Sequence, residues 1–228
     1  MAGQPESVRI LEKGELKMVT VNGKEMSFTE YVSYIHQLSW EEFVTESVRI
    51  TGSGYTLELY KRAVEAKAKD IVELGTQVGH STRALLKAAI ENGGHLHSVE
   101  LNPNTLSLVG ESMKSGGADT SFWTAIPGDD LEVVKQWTIY MDFLFIDTSH
   151  TYENTLKELE AYSKFVVPRG VIVMHDTHID RSVPEQYPVR RAVEDWMKNN
   201  EEWEFQDITT PRDGWGLGLL RRKQALKG

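Results

Sequence analysis

From about residue 70 onward, short apolar runs alternate with longer stretches whose apolar residues recur at helical spacing. This alternation is typical of a parallel sheet that is covered by helices on both faces. Five apolar runs are predicted as strands, at residues 70–74, 95–100, 121–126, 142–147 and 170–175. The stretches between them are predicted as helices, at residues 81–92, 104–115, 131–136 and 152–165. Because crossovers between parallel strands are right-handed, the carboxyl ends of all five strands should meet at one edge.

The two ends of the chain differ from this central pattern. Residues 184–200 predict one more helix, and residues 203–208 and 216–220 predict two final strands. A helix-like piece at residues 28–43 lies in an N-terminal segment that is rich in aromatic side chains, namely Phe28, Tyr31, Tyr34, Trp40, Phe43 and Tyr55. These aromatics either form an apolar lid over a ligand or pack against the rest of the protein. The predicted division is an N-terminal helical extension at residues 1–55 and an α/β domain at residues 56–228.

Composition narrows the class of protein. The chain has 228 residues, enough for one sizeable core, and a formal net charge of -9, which disfavours binding to a phosphate backbone. It contains 0 cysteines, so a metal site would have to use oxygen or imidazole ligands. No apolar run is long enough to cross a bilayer, and the first residues carry no signal-peptide core. We therefore expect a cytoplasmic protein without nucleic-acid or membrane partners, and the sequence allows a homo-oligomer.

The first predicted strand runs into a glycine turn in the segment IVELGTQVGHST, residues 71–82. Gly75 would let the backbone turn without a Cβ, and Gly79 would allow close approach at the start of the next helix. The spacing is G-x-x-x-G, so the chain lacks both the G-x-G-x-x-G of dinucleotide sites and the G-K-[ST] of phosphate loops. An uncharged ligand portion, or one with a carboxylate, suits this turn better than a pyrophosphate. The alternative is a tight strand-to-helix connection without a ligand.

Two acids follow the next two strands. Glu100 ends the second strand, where a carboxylate can accept hydrogen bonds from both hydroxyls of a ribose. The alternative for Glu100 is a strand-end acid or a charge near the N-terminus of the helix after Pro103. Asp129 follows the third strand and could contact an exocyclic amine of a base, but it is equally suited to cap the helix that begins near Leu131.

With these motifs the chain resembles the class I S-adenosylmethionine-dependent methyltransferases over roughly residues 50–221. The resemblance rests on the glycine-turn motif, on the acid at the end of the second strand and on Gly128-Asp129. It implies a Rossmann-like, doubly wound sheet of seven mostly parallel strands whose last strand is antiparallel. It also implies that S-adenosylmethionine would lie with its amino-acid end near Glu73 and Gly75, its ribose at Glu100 and its adenine at Asp129. The implied cofactor-binding residues are Glu73, Gly75, Thr76, Gly79, Ser81, Glu100, Asp129 and Asp147.

Acids and histidines follow the fourth and fifth strands. Asp147 and His150 lie in DFLFIDTSHTYEN, and His175, Asp176 and His178 lie in GVIVMHDTHID. Both acids should converge at the same sheet edge, where a hard ion such as Mg²⁺ could bind together with a substrate hydroxyl and lower its pKa. A neutral imidazole such as His150 could then take the proton. Separately, Asp147 could cap the next helix, and each histidine could be a surface or core residue.

These strand ends resemble one methyltransferase group in particular, which includes sugar O-methyltransferases and cephalosporin-hydroxylase-like proteins. The shared pattern is D-x-x-H-x-Y-E, here from Asp147 to Glu153, followed by P-x-G-V-I-V and an acid, here Asp176. Metal-binding members of that group usually carry two adjacent oxygen ligands after the fifth strand, whereas this chain offers His175-Asp176 or Asp176-Thr177. By this resemblance Asp147, Asp176 and His175 would bind Mg²⁺, and Asp147 and His150 would be catalytic.

The resulting hypothesis is an S-adenosylmethionine-dependent O-methyltransferase that acts on a hydroxyl group of a sugar or natural-product intermediate. The alternative is a cephalosporin-hydroxylase-like protein that binds the cofactor without transferring its methyl group. A nucleotide-binding oxidoreductase would need the missing G-x-G-x-x-G. Residues 179–191 and 211–216 are predicted walls of the acceptor site.

Overall fold

The structure is a computed structural model that describes residues 18–21, 24–51, 54–178, 188–208 and 216–223. The strands are β1 (Met18–Val21), β2 (Lys24–Ser27), β3 (Asp70–Leu74), β4 (His95–Glu100), β5 (Trp123–Pro127), β6 (Met141–Ile146), β7 (Val166–His175), β8 (Trp203–Ile208) and β9 (Leu217–Arg222). The helices are α1 (Phe28–Gln37), α2 (Trp40–Thr51), α3 (Tyr55–Glu65), α4 (His80–Asn92), α5 (Pro103–Ser115), α6 (Asp130–Val133), α7 (Tyr152–Tyr162) and α8 (Pro188–Met197).

Seven strands form one sheet in the order β5-β4-β3-β6-β7-β9-β8. The pairs β3–β4, β4–β5, β3–β6 and β6–β7 are parallel, whereas β9 is antiparallel to both β7 and β8. The predicted seven-stranded sheet with an antiparallel last strand is therefore confirmed. The parallel strands bring their carboxyl ends to one edge, which the turns after β3, β4, β6 and β7 occupy.

The core lies in two layers, one on each face of the sheet. In β3 the side chain of Ile71 packs with α3 and α4, whereas Val72 and Leu74 pack on the opposite face with residues of α7 and α8. Successive side chains of a strand point to opposite faces, so Glu73 lies on the same face as Ile71 and is directed toward α4. The apolar strands are thus buried on both sides, as expected for a parallel sheet.

Several element boundaries differ from the predicted ones. The predicted third strand began at residue 121, but residues 120–122 form a 3₁₀ turn that Asp119 caps, and β5 begins at Trp123. The predicted helices at 131–136 and 152–165 each end in a 3₁₀ turn, at Val134–Gln136 and Ser163–Phe165. Residues 184–187 of the predicted C-terminal helix lie outside the described residues, and α8 begins at Pro188. These changes shorten helices without altering the order of elements.

The N-terminal segment contains more elements than predicted. The helix-like piece at residues 28–43 is two helices, because Ser39 starts a second one. Ser27 and Glu30 cap α1 reciprocally, and Ser39 and Glu42 do the same for α2. The β1–β2 hairpin and α3 were not predicted. Since α1 packs on α5 and its Val32 belongs to the main core cluster, the extension contributes to the main core. The predicted division at residue 55 stays a prediction.

A pair of carboxyl groups joins α6 to α7 on the side of the sheet where α7 packs. Glu158 is 0% exposed, and its Oε1 accepts hydrogen bonds from Thr148 Oγ1 and Asn154 Nδ2. Burial raises the pKa of Glu158 to about 8, and the neighbouring Asp130 adds to this rise, while the hydroxyl of Thr148 opposes it. Burial also raises the pKa of Asp130. Glu158 is therefore mostly protonated at neutral pH.

This pair predicts a pH-dependent loss of stability. A carboxyl whose folded pKa exceeds its unfolded value stabilises the fold fully below the unfolded pKa, and this contribution is lost as the pH rises through the folded pKa. We expect the free energy of unfolding to fall between pH 5 and pH 8 by about 1 kcal/mol or more relative to Glu158→Gln. Urea unfolding at both pH values measures this difference. Glu160→Gln, on the exposed face of the same helix, is the control and should follow the wild type. An equal fall of the free energy of unfolding in Glu158→Gln would show that Glu158 does not cause the pH dependence.

Candidate active site

The glycine turn between β3 and α4 is closely packed against neighbouring backbone and side chains. Gly75 and Gly79 have φ angles of +90° and +83°, in the left-handed region that favours glycine. A Cβ on Gly75 would lie 2.1 Å from the carbonyl oxygen of Asp147, and a Cβ on Gly79 would lie 2.8 Å from His36 Nε2. Both glycines are therefore required by conformation and by space. At Gly75 in particular, the backbone of this turn packs against the residue that follows β6.

Glu100 is tied to the glycine turn by backbone hydrogen bonds. Its Oε2 accepts from the backbone N–H groups of Thr76 (3.0 Å) and Gln77 (3.2 Å), and its Oε1 accepts from Asn102 N (3.0 Å). The side chain is only partly buried. The helix after β4 is capped by Asn102, whose side chain accepts from the backbone N–H of Asn104. The carboxylate thus faces the turn, and these three hydrogen bonds leave about one of its four lone-pair positions free for a ligand.

Glu73 lies beneath the turn as a fully buried acid. Its Oε2 accepts hydrogen bonds from Thr82 Oγ1 (2.8 Å) and Ser98 Oγ (2.6 Å), and its Oε1 has no partner among the described residues. Burial raises the pKa of Glu73 to about 7, and the nearby hydroxyl groups of Ser81, Ser98 and Thr82 oppose this rise. Two of the predicted cofactor residues, Glu73 and Ser81, are therefore neighbours.

Two other predicted cofactor residues have local roles. Asp129 Oδ1 accepts from the backbone N–H groups of Leu131 (2.9 Å) and Glu132 (3.3 Å), so Asp129 is the N-cap of α6. The structure therefore shows Asp129 in the capping role, and its predicted contact with adenine stays a prediction. Thr76 is buried, and its Oγ1 has no hydrogen-bond partner within the described ranges.

Four side chains at the ends of β6 and β7 form what we call the Asp–His cluster: Asp147, His150, His175 and Asp176. Asp147 Oδ1 lies 2.8 Å from His150 Nε2 and 3.4 Å from His175 Nδ1. Asp176 contacts the same two histidines, with Oδ2 2.9 Å from His150 Nδ1 and Oδ1 3.0 Å from His175 Nδ1. The backbone N–H of Asp147 donates to Leu74 O, which extends the β3–β6 pairing up to the cluster.

Charge pairing dominates the protonation states within the Asp–His cluster. Burial alone would raise the pKa of Asp147, but His175 and His150 outweigh it and hold this pKa well below its usual range. Burial would likewise lower the pKa of His150, yet Asp147 and Asp176 raise it to about 10. The pKa of His175 is also raised well above its ordinary value, against the effect of burial, by Asp147 and Asp176. In this arrangement, both ring nitrogens of His150 face carboxylate oxygens.

Backbone strain occurs at two positions of the cluster. His150 and Asp176 have φ angles of +54° and +57°, which are uncommon for residues that carry a Cβ. Such conformations cost free energy and persist where the surrounding structure enforces them, often at functional sites. His178, predicted either to touch substrate or to be exposed, is partly buried and packs against Gly216 beside the cluster.

The aromatic residues of the N-terminal segment mostly pack against α4. Tyr31 and Phe43 are almost completely buried, and Tyr31 OH lies 2.9 Å from His80 Nε2. Arg83 of the same helix donates to the carbonyl groups of Ile35 and Leu38 at the end of α1. Among the aromatics predicted as a lid, Tyr55 reaches the Asp–His cluster, where its ring centroid lies 4.8 Å from that of His175. The segment therefore supports the glycine turn from outside, which sequence analysis missed.

The donor set of the cluster fits a cation, but it does not fit Mg²⁺ well. In the part of the chain that the structure describes, one group of side chains gathers potential ligand atoms within 4.8 Å of one another: Asp147, His150 and His175. Two of these three donors are imidazole nitrogens, whereas Mg²⁺ prefers carboxylate, carbonyl and water oxygens. Asp176, predicted as a ligand, uses its oxygens to contact both histidines. The loops predicted as acceptor walls, 179–191 and 211–216, lie mostly outside the described residues.

One protein-family model matches the central part of the chain. Residues 72–177 match the model of a family described as a methyltransferase domain. This range begins in β3 and ends just beyond β7, so it contains the glycine turn, Glu100 and the Asp–His cluster. The match supports the sequence-based resemblance to methyltransferases in this part of the chain.

Two curated relatives, from Propithecus coquereli and Macaca mulatta, are each named transmembrane O-methyltransferase. Each is 30% identical over 126 residues, which is 52% of this chain but only 45% and 42% of the relatives' own lengths. Their name contradicts the sequence-based expectation of a cytoplasmic protein. In the described ranges, no helix combines the length and the apolar composition that crossing a membrane requires.

A solved structure shares the fold across nearly the whole chain. The O-methyltransferase TomG from Streptomyces achromogenes, solved in complex with S-adenosylmethionine, superimposes with a TM-score of 0.65 at 17% sequence identity. The match covers 88% of this chain and 92% of TomG. At this identity the likeness establishes the arrangement of the elements.

The contact between Gly75 and Asp147 predicts that Gly75→Ala is strongly destabilising. A Cβ at this position would collide with backbone, which cannot move aside as a flexible side chain can. Gly93→Ala is the matched control, because Gly93 also has a positive φ (+64°) but a Cβ there would meet nothing within 4 Å. We expect Gly93→Ala to cost about 1 kcal/mol and Gly75→Ala to cost at least about 3 kcal/mol in free energy of unfolding. Equal costs in urea unfolding would show that the close approach is not a stability constraint.

Proposed function

We propose that this chain, whose residues 72–177 carry a methyltransferase domain on a class I fold, is an S-adenosylmethionine-dependent O-methyltransferase that acts on a hydroxyl group of a small molecule. The observation that carries the proposal is the contact of Gly75 with the backbone of Asp147. Through this contact, a turn suited to the methyl donor lies directly beside a cluster of charged side chains suited to an acceptor hydroxyl.

The cofactor site in this proposal lies along the carboxyl ends of β3 and β4. The backbone at Gly75, Thr76 and Gly79 offers close approach without side chains, and Glu100 offers a partly exposed carboxylate for the two ribose hydroxyls. Glu73 and Ser81 support the turn from below, and Asp129 stands at the start of α6 as the proposed neighbour of the adenine. The match in fold to TomG, solved with S-adenosylmethionine, supports this choice of cofactor.

Methyl transfer to oxygen is an in-line displacement, so the main task of the protein is to position the acceptor. The acceptor oxygen should lie about 3 Å from the methyl carbon of the donor. Asp147 would serve both substrates, because its backbone lies against the glycine turn while its side chain belongs to the Asp–His cluster. The name O-methyltransferase, which the curated relatives carry, supports a hydroxyl as the acceptor group. This name does not say whether the acceptor is a sugar or another natural product, so the predicted acceptor class remains part of the proposal.

The acceptor hydroxyl must also lose its proton. A divalent cation held by the cluster, predicted from the sequence as Mg²⁺, would lower the pKa of a hydroxyl bound beside it. The predicted role of His150 as a general base requires a vacant ring nitrogen, whereas both of its nitrogens face carboxylates in the structure. We propose that Asp147 and His150 act together by holding the cation next to the acceptor oxygen.

Binding of the cofactor product tests the first half of the proposal. We expect S-adenosylhomocysteine to bind with micromolar affinity in isothermal titration calorimetry, and Glu100→Gln to weaken it at least about tenfold, because the amide loses the charge-assisted hydrogen bonds. Glu111→Gln, an exposed acid on α5, should bind like the wild type. Folded protein that does not bind S-adenosylhomocysteine would refute the proposal.

Turnover tests the second half. Cofactor-loaded protein incubated with a panel of sugars, phenols and hydroxylated natural products should release S-adenosylhomocysteine with at least one acceptor. A protein that binds the cofactor tightly yet methylates no acceptor in the panel would favour the alternative, a cofactor-binding protein without methyl transfer.

A further inference from the structure

We infer that the Asp–His cluster is a binding site for a divalent first-row transition ion such as Zn²⁺ or Co²⁺ in preference to Mg²⁺. In this assignment Asp147, His150 and His175 are the ligands, and Asp176 orients His150. The inference changes two of the roles predicted from the sequence: His150 becomes a ligand, and Asp176 becomes a positioning residue.

Two of the three distances between the donor atoms match those expected around one ion. Bonds from such ions to imidazole nitrogen or carboxylate oxygen are about 2.1 Å long, so two ligands at right angles lie about 3.0 Å apart and two tetrahedral ones about 3.4 Å apart. His150 Nε2 and His175 Nδ1 both converge on Asp147 Oδ1, at 2.8 Å and 3.4 Å. A small inward or outward adjustment of these side chains would place all three donors around a common centre.

Asp176 has the position of a residue that orients a ligand. A histidine can offer only one ring nitrogen to a given ion, and His150 directs Nε2 toward Asp147. Its other nitrogen, Nδ1, lies 2.9 Å from Asp176 Oδ2, which can accept the Nδ1–H hydrogen bond. Histidine ligands commonly donate their second N–H to a carboxylate, which fixes the tautomer and leaves the first nitrogen free for the ion.

The choice of donors argues against Mg²⁺. Mg²⁺ binds oxygen ligands and keeps several waters, whereas imidazole is a preferred ligand of Zn²⁺, Fe²⁺, Ni²⁺ and Cu²⁺. His175 occupies one of the two adjacent positions after β7 where an oxygen ligand is expected for Mg²⁺. Three protein ligands also leave positions on a transition ion open for a substrate oxygen, as in catalytic metal sites.

The backbone conformation of two residues in the site is a further observation. His150 and Asp176 both have positive φ angles, and together they form the pair in which a carboxylate holds the histidine ring. Strained residues persist where the surrounding structure enforces them. Because the inference rests on these contacts alone, it does not depend on methyl transfer, and its test needs no acceptor.

Spectroscopic titration with Co²⁺ tests the inference. Chelator-treated protein should bind one Co²⁺ per chain and develop a visible absorption band that differs from that of hexaaqua Co²⁺. Zn²⁺ should abolish this band at a stoichiometric concentration, and Mg²⁺ should leave it unchanged even at a 100-fold excess. Absence of Co²⁺ binding, or displacement of Co²⁺ by Mg²⁺, would overturn the inference.

Variants separate the ligands from the positioning residue. We expect His150→Asn and His175→Asn to lose the band, and Asp176→Asn to retain its shape with a 10- to 100-fold weaker affinity. His95→Asn, which changes a histidine at the opposite end of the sheet, should bind Co²⁺ like the wild type. A band that survives in both His150→Asn and His175→Asn would show that the histidines are not ligands. If these variants fail to fold, as thermal unfolding would reveal, the competition between Co²⁺ and Mg²⁺ in the wild type still decides the question.

Discussion

The close approach of Gly75 to the carbonyl group of Asp147 is the constraint on which the rest of the site depends. The pairing of β3 with β6 continues one residue past the end of β6, since Asp147 N donates to Leu74 O (2.9 Å). Only a residue without a Cβ can turn away from the sheet at this point, so the glycine turn begins against the backbone of Asp147. As a result, the proposed cofactor turn and the Asp–His cluster cannot move independently. A change in one would be transmitted to the other through backbone atoms.

Around this contact the protein buries ionisable groups in two different ways. Glu73 is surrounded by hydroxyl groups, and burial shifts its pKa upward to about 7. Its protonated and ionised forms therefore have similar populations near pH 7. Asp147 and Asp176 are paired with imidazoles, which keeps the pKa of both carboxyls low despite burial. The first acid can support a turn without adding a full charge, whereas the second group concentrates charge at the sheet edge. This difference follows from the partners that each strand end supplies.

Much of this arrangement could be predicted from the sequence. The alternation of apolar runs and amphipathic stretches predicted the sheet, and the strand ends correctly brought Glu73, Glu100, Asp147 and Asp176 to one edge. The break between α1 and α2 was missed, although the two S-x-x-E capping boxes at Ser27 and Ser39 signal it. The contacts within the Asp–His cluster could not be read, because spacing along a strand does not reveal which ring nitrogen faces which oxygen. The packing of α1 on the glycine turn depends on tertiary contacts and left no local signal.

The most direct test of the account is a crystal structure of the protein with S-adenosylhomocysteine. We predict that the ligand lies across the turn from Gly75 to Gly79, with its ribose hydroxyls on Glu100 and its sulfur directed toward the Asp–His cluster. A ligand bound elsewhere on the sheet edge, or a ribose that does not contact Glu100, would contradict the central claim that the glycine turn and the cluster form one methyl-transfer site.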